Sequence, residues 1–158
     1  MAMPAQNPST SKQDYETPDD FVAAVVRRFG PIDVDLACHA HTSKGVIGIT
    51  PEEDSLSVAW CQWYDSTLWL NPEFNNIPVW AEKCAEEARF MRRGRILLLT
   101  PASVGANWFA KHVLGKAMVL ALSPRLTFKG EKNPYPKDLM LSCYAPGLHG
   151  FDQWRWRD

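Results

Sequence analysis

The chain has 158 residues, a length suited to one domain, and 46% of them are apolar, enough for one core. A formal net charge of −1 excludes a bulk polycation, so a grip on nucleic acid has to come from a local basic patch. No apolar run is long enough to span a bilayer, and the start lacks a basic segment followed by an apolar one, so neither a membrane span nor a signal peptide is expected.

Residues 1–13 are polar, with Pro, Ser and Thr, and read as a flexible lead-in. Residues 14–158 then read as a single domain. Thr17-Pro18-Asp19-Asp20 predicts a helix start, with Thr17 as cap, Pro18 at the first helical position and two aspartates at the positive helix end. Phe21, Val22, Val25, Val26 and Phe29 recur at helical spacing, and Gly30-Pro31 stops the helix. Ile32 to Ala37 alternates apolar and acidic residues as a strand does. Cys38 to Asp65 is irregular and rich in turn formers. Ser66 to Leu70 is β-prone and runs straight into Asn71-Pro72-Glu73-Phe74.

A second helix is predicted from Ile77, with Ile77, Trp80, Cys84, Ala88 and Met91 as its buried stripe and Gly94 as its end. Arg95 to Thr100 suits a strand covered on both faces. Gly105 to Leu114 reads as a third helix, Lys116 to Leu122 as a strand, Arg125 to Lys137 as a polar loop, and Leu139 to Tyr144 as the last clear strand. Alternating strands and helices predict an α/β layer fold with a mostly parallel sheet and helices on both faces.

Asn71-Pro72-Glu73-Phe74 is the most informative tetrapeptide, because ligands of open α/β sheets sit at the carboxyl ends of strands. The amino nitrogen of adenine is a poor nucleophile, its lone pair being delocalised into the ring. The Asn71 side-chain oxygen and the Pro72 carbonyl suit acceptance of its two hydrogens, which frees that lone pair. Phe74 suits stacking on a base turned out of the duplex. The plainer alternative is that Asn-Pro starts a turn after a strand.

In order along the chain stand Tyr15-Glu16-Thr17-Pro18, Asp33-Val34-Asp35-Leu36-Ala37, Asp54-Ser55-Leu56, Leu70 to Phe74, Leu98 to Ala102 with Trp108-Phe109, Arg125-Leu126-Thr127-Phe128 and Tyr135-Pro136. In this series the chain resembles the phage-type DNA adenine methyltransferases, the phage Dam-like family. The resemblance implies a class I, Rossmann-like fold, S-adenosylmethionine as methyl donor and DNA as substrate. It implies that Tyr15, Thr17 and Pro18 border the cofactor, that Asp35 and Ala37 hold its methionine part, and that Asp54 faces its adenosine half. It also implies that Asn71, Pro72 and Phe74 form the catalytic motif. Two departures stand out. Glu73 occupies the place of the family's usual second proline, and Cys38-His39-Ala40-His41 stands where ordinary methyltransferases have a glycine-rich turn.

Other signals have plainer readings. Cys38, Cys61, Cys84 and Cys143 are scattered without a CxxC pair and read as free thiols in a reducing cytoplasm. Cys38, His39 and His41 lack a second ligand pair, so no metal is expected. Trp60, Trp63, Trp69, Trp80, Trp108 and Phe109 are read as packing. Arg125, Lys129, Lys132 and Lys137 share one loop and suit phosphate contact, with a solvated loop as the alternative; Arg125, Lys129 and Lys132 are the candidate DNA contacts. The Trp154-Arg155-Trp156-Arg157 tail either clamps nucleic acid or folds back onto the domain. A homodimer stays open. Two other functions compete: transfer to another planar amine such as cytosine or an amide, and a lapsed relative that only binds.

Overall fold

Helix α1 (Asp19–Phe29) forms where Phe21, Ala24 and Val25 recur on one buried stripe. Asp19 and Asp20 sit in its first turn, Arg27 and Arg28 in its last, each the sign the helix end favours. The expected cap is corrected: Pro18 is the N-cap, no side chain caps the helix, and the Thr17 hydroxyl is engaged by Asn71 instead. Gly30 ends the helix at φ 88°, and its N–H donates to the Val26 carbonyl. In this computed structural model residues 15–158 are described, so the expected lead-in over 1–13 lies outside the described residues.

The strand expected over Ile32–Ala37 shrinks to β1 (Val34–Asp35). Hydrogen bonds from the Asp33 N–H to the Thr67 carbonyl and from the Leu36 N–H to the Trp69 carbonyl continue its pairing on either side. The following stretch, expected to be irregular, contains a short parallel strand, β2 (Ile47–Gly48). Gly45 makes that return possible, since a Cβ there would stand 2.8 Å from the Asp35 nitrogen.

Then come β3 (Thr67–Leu70), a short 3-10 turn over Phe74–Asn76, α2 (Ile77–Ala88), β4 (Arg95–Pro101), α3 (Asn107–His112), β5 (Met118–Ser123), β6 (Leu139–Tyr144) and β7 (Gly150–Arg155). Helix α2 begins as predicted but ends at Ala88, so Gly94 does not close it. Gly94 instead lets the chain pass Ser66, whose carbonyl would lie 2.3 Å from any Cβ, while the Arg92 and Gly94 N–H groups donate to the Tyr64 carbonyl.

The described residues form one seven-stranded sheet in the order β2-β1-β3-β4-β6-β5-β7. The β2-β1-β3-β4 half is parallel throughout. Strand β6 runs against both β4 and β5, and β7 returns parallel to β5. Only β6 opposes the other six strands, so the sheet is mixed with a largely parallel plan, β5 and β6 being joined by a loop on one side of the sheet instead of a crossover. Alternation along the strands makes two cores. Trp69, Leu97, Leu99, Leu120 and Leu141 pack on α1, while Leu68, Leu70, Ile96, Leu98 and Val119 pack on the α2–α3 side. Helices thus cover both faces. No helix among the described residues is long and apolar enough to cross a membrane.

Candidate active site

Parallel pairing sets Asp35 beside Trp69, so the chain leaves β1 and β3 at the same end of the sheet. There a cavity of about 450 Å³ opens, within the range of small-molecule sites, about 300–1,000 Å³. Its wall includes Tyr15, Thr17, Asp35, Ala37, Asp54 and Asn71, six of the nine residues expected at a catalytic or cofactor position. The other three stand back from it. Pro18 caps α1, Pro72 is buried in the turn after β3, and Phe74 lies in an aromatic cluster described below.

Asp35 is buried, and both its oxygens are occupied. Oδ1 accepts from the Ala37 N–H at 3.1 Å and Oδ2 from the Lys44 N–H at 2.9 Å. Burial pushes its carboxyl above the usual range, and the Lys44 and Ala37 N–H bonds oppose that rise. Asp35 thereby ties the loop carrying Lys44 to the end of β1. The Lys44 ammonium pairs with Glu16 at 3.0 Å, and this bond, together with Lys129 at 3.4 Å, holds the Glu16 carboxyl below its ordinary value.

Asn71 follows the last residue of β3. Its Nδ2 donates to the Tyr15 carbonyl at 2.6 Å and to the Thr17 hydroxyl at 2.9 Å. A backbone carbonyl accepts only, so the nitrogen has to face Tyr15 and the amide cannot be turned over. Both amide hydrogens are spent on the N-terminal segment, which leaves Oδ1 as the group an incoming ligand meets. This also explains why Thr17 does not cap α1. At the cavity rim, Asp54 holds φ 48°, a left-handed conformation uncommon outside glycine.

Phe74 packs in a four-ring cluster, stacked on Tyr15 with centroids 5.6 Å apart and edge-on to Tyr135 at 5.5 Å and Phe128 at 6.3 Å. Phe128 and Tyr135 come from the polar loop after β5. That loop is therefore anchored beside the turn that carries Asn71.

The family model for DNA N-6-adenine-methyltransferase (Dam) matches residues 5–138. The chain belongs to this family. No curated protein and no solved structure matches the chain. The Dam family acts on DNA at the adenine N6 position, which gives the order of motifs and their convergence on one cavity a common chemical context.

Of the basic residues expected to meet DNA, none lines the cavity. Arg125 pairs with Asp138 at 3.0 Å and donates to the Pro136 carbonyl. Lys129 pairs with Asp19 at 2.7 Å as well as with Glu16. Lys132 is exposed. The Trp-Arg tail takes the second of its two readings. Trp154 packs on Phe21 and Phe29, and the Trp156 indole donates to the Pro124 carbonyl at 2.6 Å.

Lys44, Glu16 and Trp80 also line the cavity, and sequence reasoning had not placed them there. Trp80 packs against the α2–α3-side core as expected, and being half-buried one turn into α2, directly after the Asn71 turn, it also reaches the cavity. Its position so close to the motif was the available signal. Lys44 had none, since only the return of the chain to form β2 brings it back across β1. Glu73, where the resemblance implies a proline, also lines the cavity and is exposed.

Proposed function

We propose that this Dam-family chain uses S-adenosylmethionine to methylate the exocyclic amine of adenine in DNA, as one domain over residues 14–158 on a class I, Rossmann-like plan. The observation that carries the reading is the Asn71 amide, held by Tyr15 and Thr17 with only its oxygen left for a ligand. The cavity suits the cofactor. It combines a cation, three carboxylates outside the buried Asp35, and two indoles, which match a zwitterionic amino acid joined to an adenosine. S-adenosylmethionine, when bound, supplies an electrophilic methyl on a sulfonium.

In this reading Tyr15, Thr17 and Pro18 border the cofactor, Asp35 and Ala37 shape the methionine side, and Asp54 serves the adenosine half. Asn71 Oδ1 and the Pro72 carbonyl accept the two hydrogens of the adenine amine and free its lone pair. A preorganised acceptor costs no rearrangement at the moment of reaction. Phe74 offers its ring to a base turned out of the duplex. Arg125, Lys129 and Lys132 meet phosphates.

The test is to incubate the protein with DNA and methyl-labelled cofactor, digest the DNA and identify the labelled nucleoside. N6-methyl-2′-deoxyadenosine is expected. Asn71→Ala should lower transfer on the order of a hundredfold or more, a larger loss than any accompanying drop in cofactor affinity, which is measured separately because the same amide holds Tyr15 and Thr17. Label in a cytosine, or none at all, overturns the reading.

A further inference from the structure

We propose that Lys44 and Glu16 together form a cradle for an α-amino-acid zwitterion, Lys44 Nζ receiving its carboxylate and Glu16 its ammonium. In the proposed reaction, on which this inference rests, that zwitterion is the amino-acid end of the cofactor. The two side chains stand 3.0 Å apart and both line the cavity. The Lys44 side chain is only 11% exposed, whereas Arg92–Asp65 and Arg157–Asp20 have both partners about half exposed or more. Taking an ammonium that far out of water is costly unless its charge is used. The other well-covered pair, Lys83–Glu87, lies within α2 and lines no part of this cavity.

The cation is also presented from a fixed base. The Lys44 N–H is held by Asp35 Oδ2, and Gly45 is pressed onto the backbone of Val34 and Asp35. Asp35, the residue implied for the methionine part, is buried, and each of its oxygens already accepts one backbone N–H. It acts here as a positioning residue that aims Lys44, and the ligand's ammonium goes to Glu16. A zwitterion entering a salt bridge exchanges one ion pair for two without changing net charge. Lys129, 3.4 Å from Glu16, keeps a counter-charge on that carboxylate when Lys44 turns to the ligand. Glu16 also lies between Tyr15 and Thr17, the two residues that hold Asn71, so ligand contact at Glu16 bears directly on the segment that orients the acceptor.

The experiment uses the full chain and two probes titrated by calorimetry. S-adenosylhomocysteine has the whole amino-acid end; 5′-methylthioadenosine keeps the adenosine and the thioether but lacks it. Lys44→Met and Glu16→Gln should each weaken S-adenosylhomocysteine by about tenfold or more, the scale of one lost charge-assisted hydrogen bond. Both variants should bind 5′-methylthioadenosine as the wild type does, which also reports that they fold. Lys44→Arg, which keeps the charge, should recover much of the loss. Unchanged S-adenosylhomocysteine affinity, equal loss for both probes, or no advantage of Lys44→Arg over Lys44→Met overturns the cradle while leaving the cofactor reading intact. A wild type that binds neither probe removes the cofactor reading and the cradle with it.

Discussion

Asn71 shows how one side chain joins two distant stretches of sequence. Its identity and its place after a β-prone run were legible in the sequence, and so was the oxygen's suitability as an acceptor. The bonds to Tyr15 and Thr17 were not, because their partners lie 56 and 54 residues away. Glu73, the departure from the family motif, can be tested at the same scale. Its φ is −58°, inside the range proline enforces, and its carbonyl bond to the Asn76 N–H needs no N–H of its own. Glu73→Pro should therefore fold, with stability unchanged or raised by about 0.4–1 kcal/mol, and should preserve or raise methyl transfer. Thermal melts and the labelled-nucleoside assay check both parts. Abolished transfer in a stable Glu73→Pro variant would show that the carboxylate works on the substrate.

Among the elements, helices and long strands followed their periodicity, while loops obeyed contacts no local pattern announces. Helix α1 and strand β4 fall where their spacing predicts, since each buries a face determined by its own sequence. The loop after β5 looked like a basic, solvated segment, yet its Phe128 and Tyr135 are buried in the cluster around Tyr15. Its charges divide accordingly. Arg125 and Lys129 are joined to acids of the domain, whereas Lys132 is exposed with no ion pair among the described residues. Reversing Lys129 would set like charges beside Asp19 and Glu16 and disturb the start of α1, so Lys132 gives the cleaner test. Lys132→Ala should weaken binding to all DNA sequences alike and reduce the salt slope by about 1 without shifting the melting temperature. Fluorescence anisotropy at several salt concentrations measures it; a change confined to one base preference would assign the loop to base reading instead.

For the whole molecule, the last strand decides how the sheet closes. Strand β7 adds to β5 as an edge, and the residue after it, Trp156, is 6% exposed, edge-on to Phe21 at 5.2 Å and bonded to the Pro124 carbonyl. Trp156→Ala should destabilise the fold by about 3–5 kcal/mol, the usual cost of emptying a buried aromatic site. Urea unfolding checks this, and a loss under 1 kcal/mol would mean the tail only lies on the surface. By itself the sequence determined the α/β class, the stretches that become helices and the strand that precedes Asn71. Each of those rests on spacing over a few residues and on side-chain chemistry. Only the tertiary structure decided that β6 runs against its neighbours, that the Trp-Arg tail folds back through the end of β7, and that Lys44 and Glu16 meet in the cavity that Asn71 lines. Those outcomes depend on which segments pair across the sheet, and pairing between residues far apart is settled by packing of the whole core rather than by any local pattern.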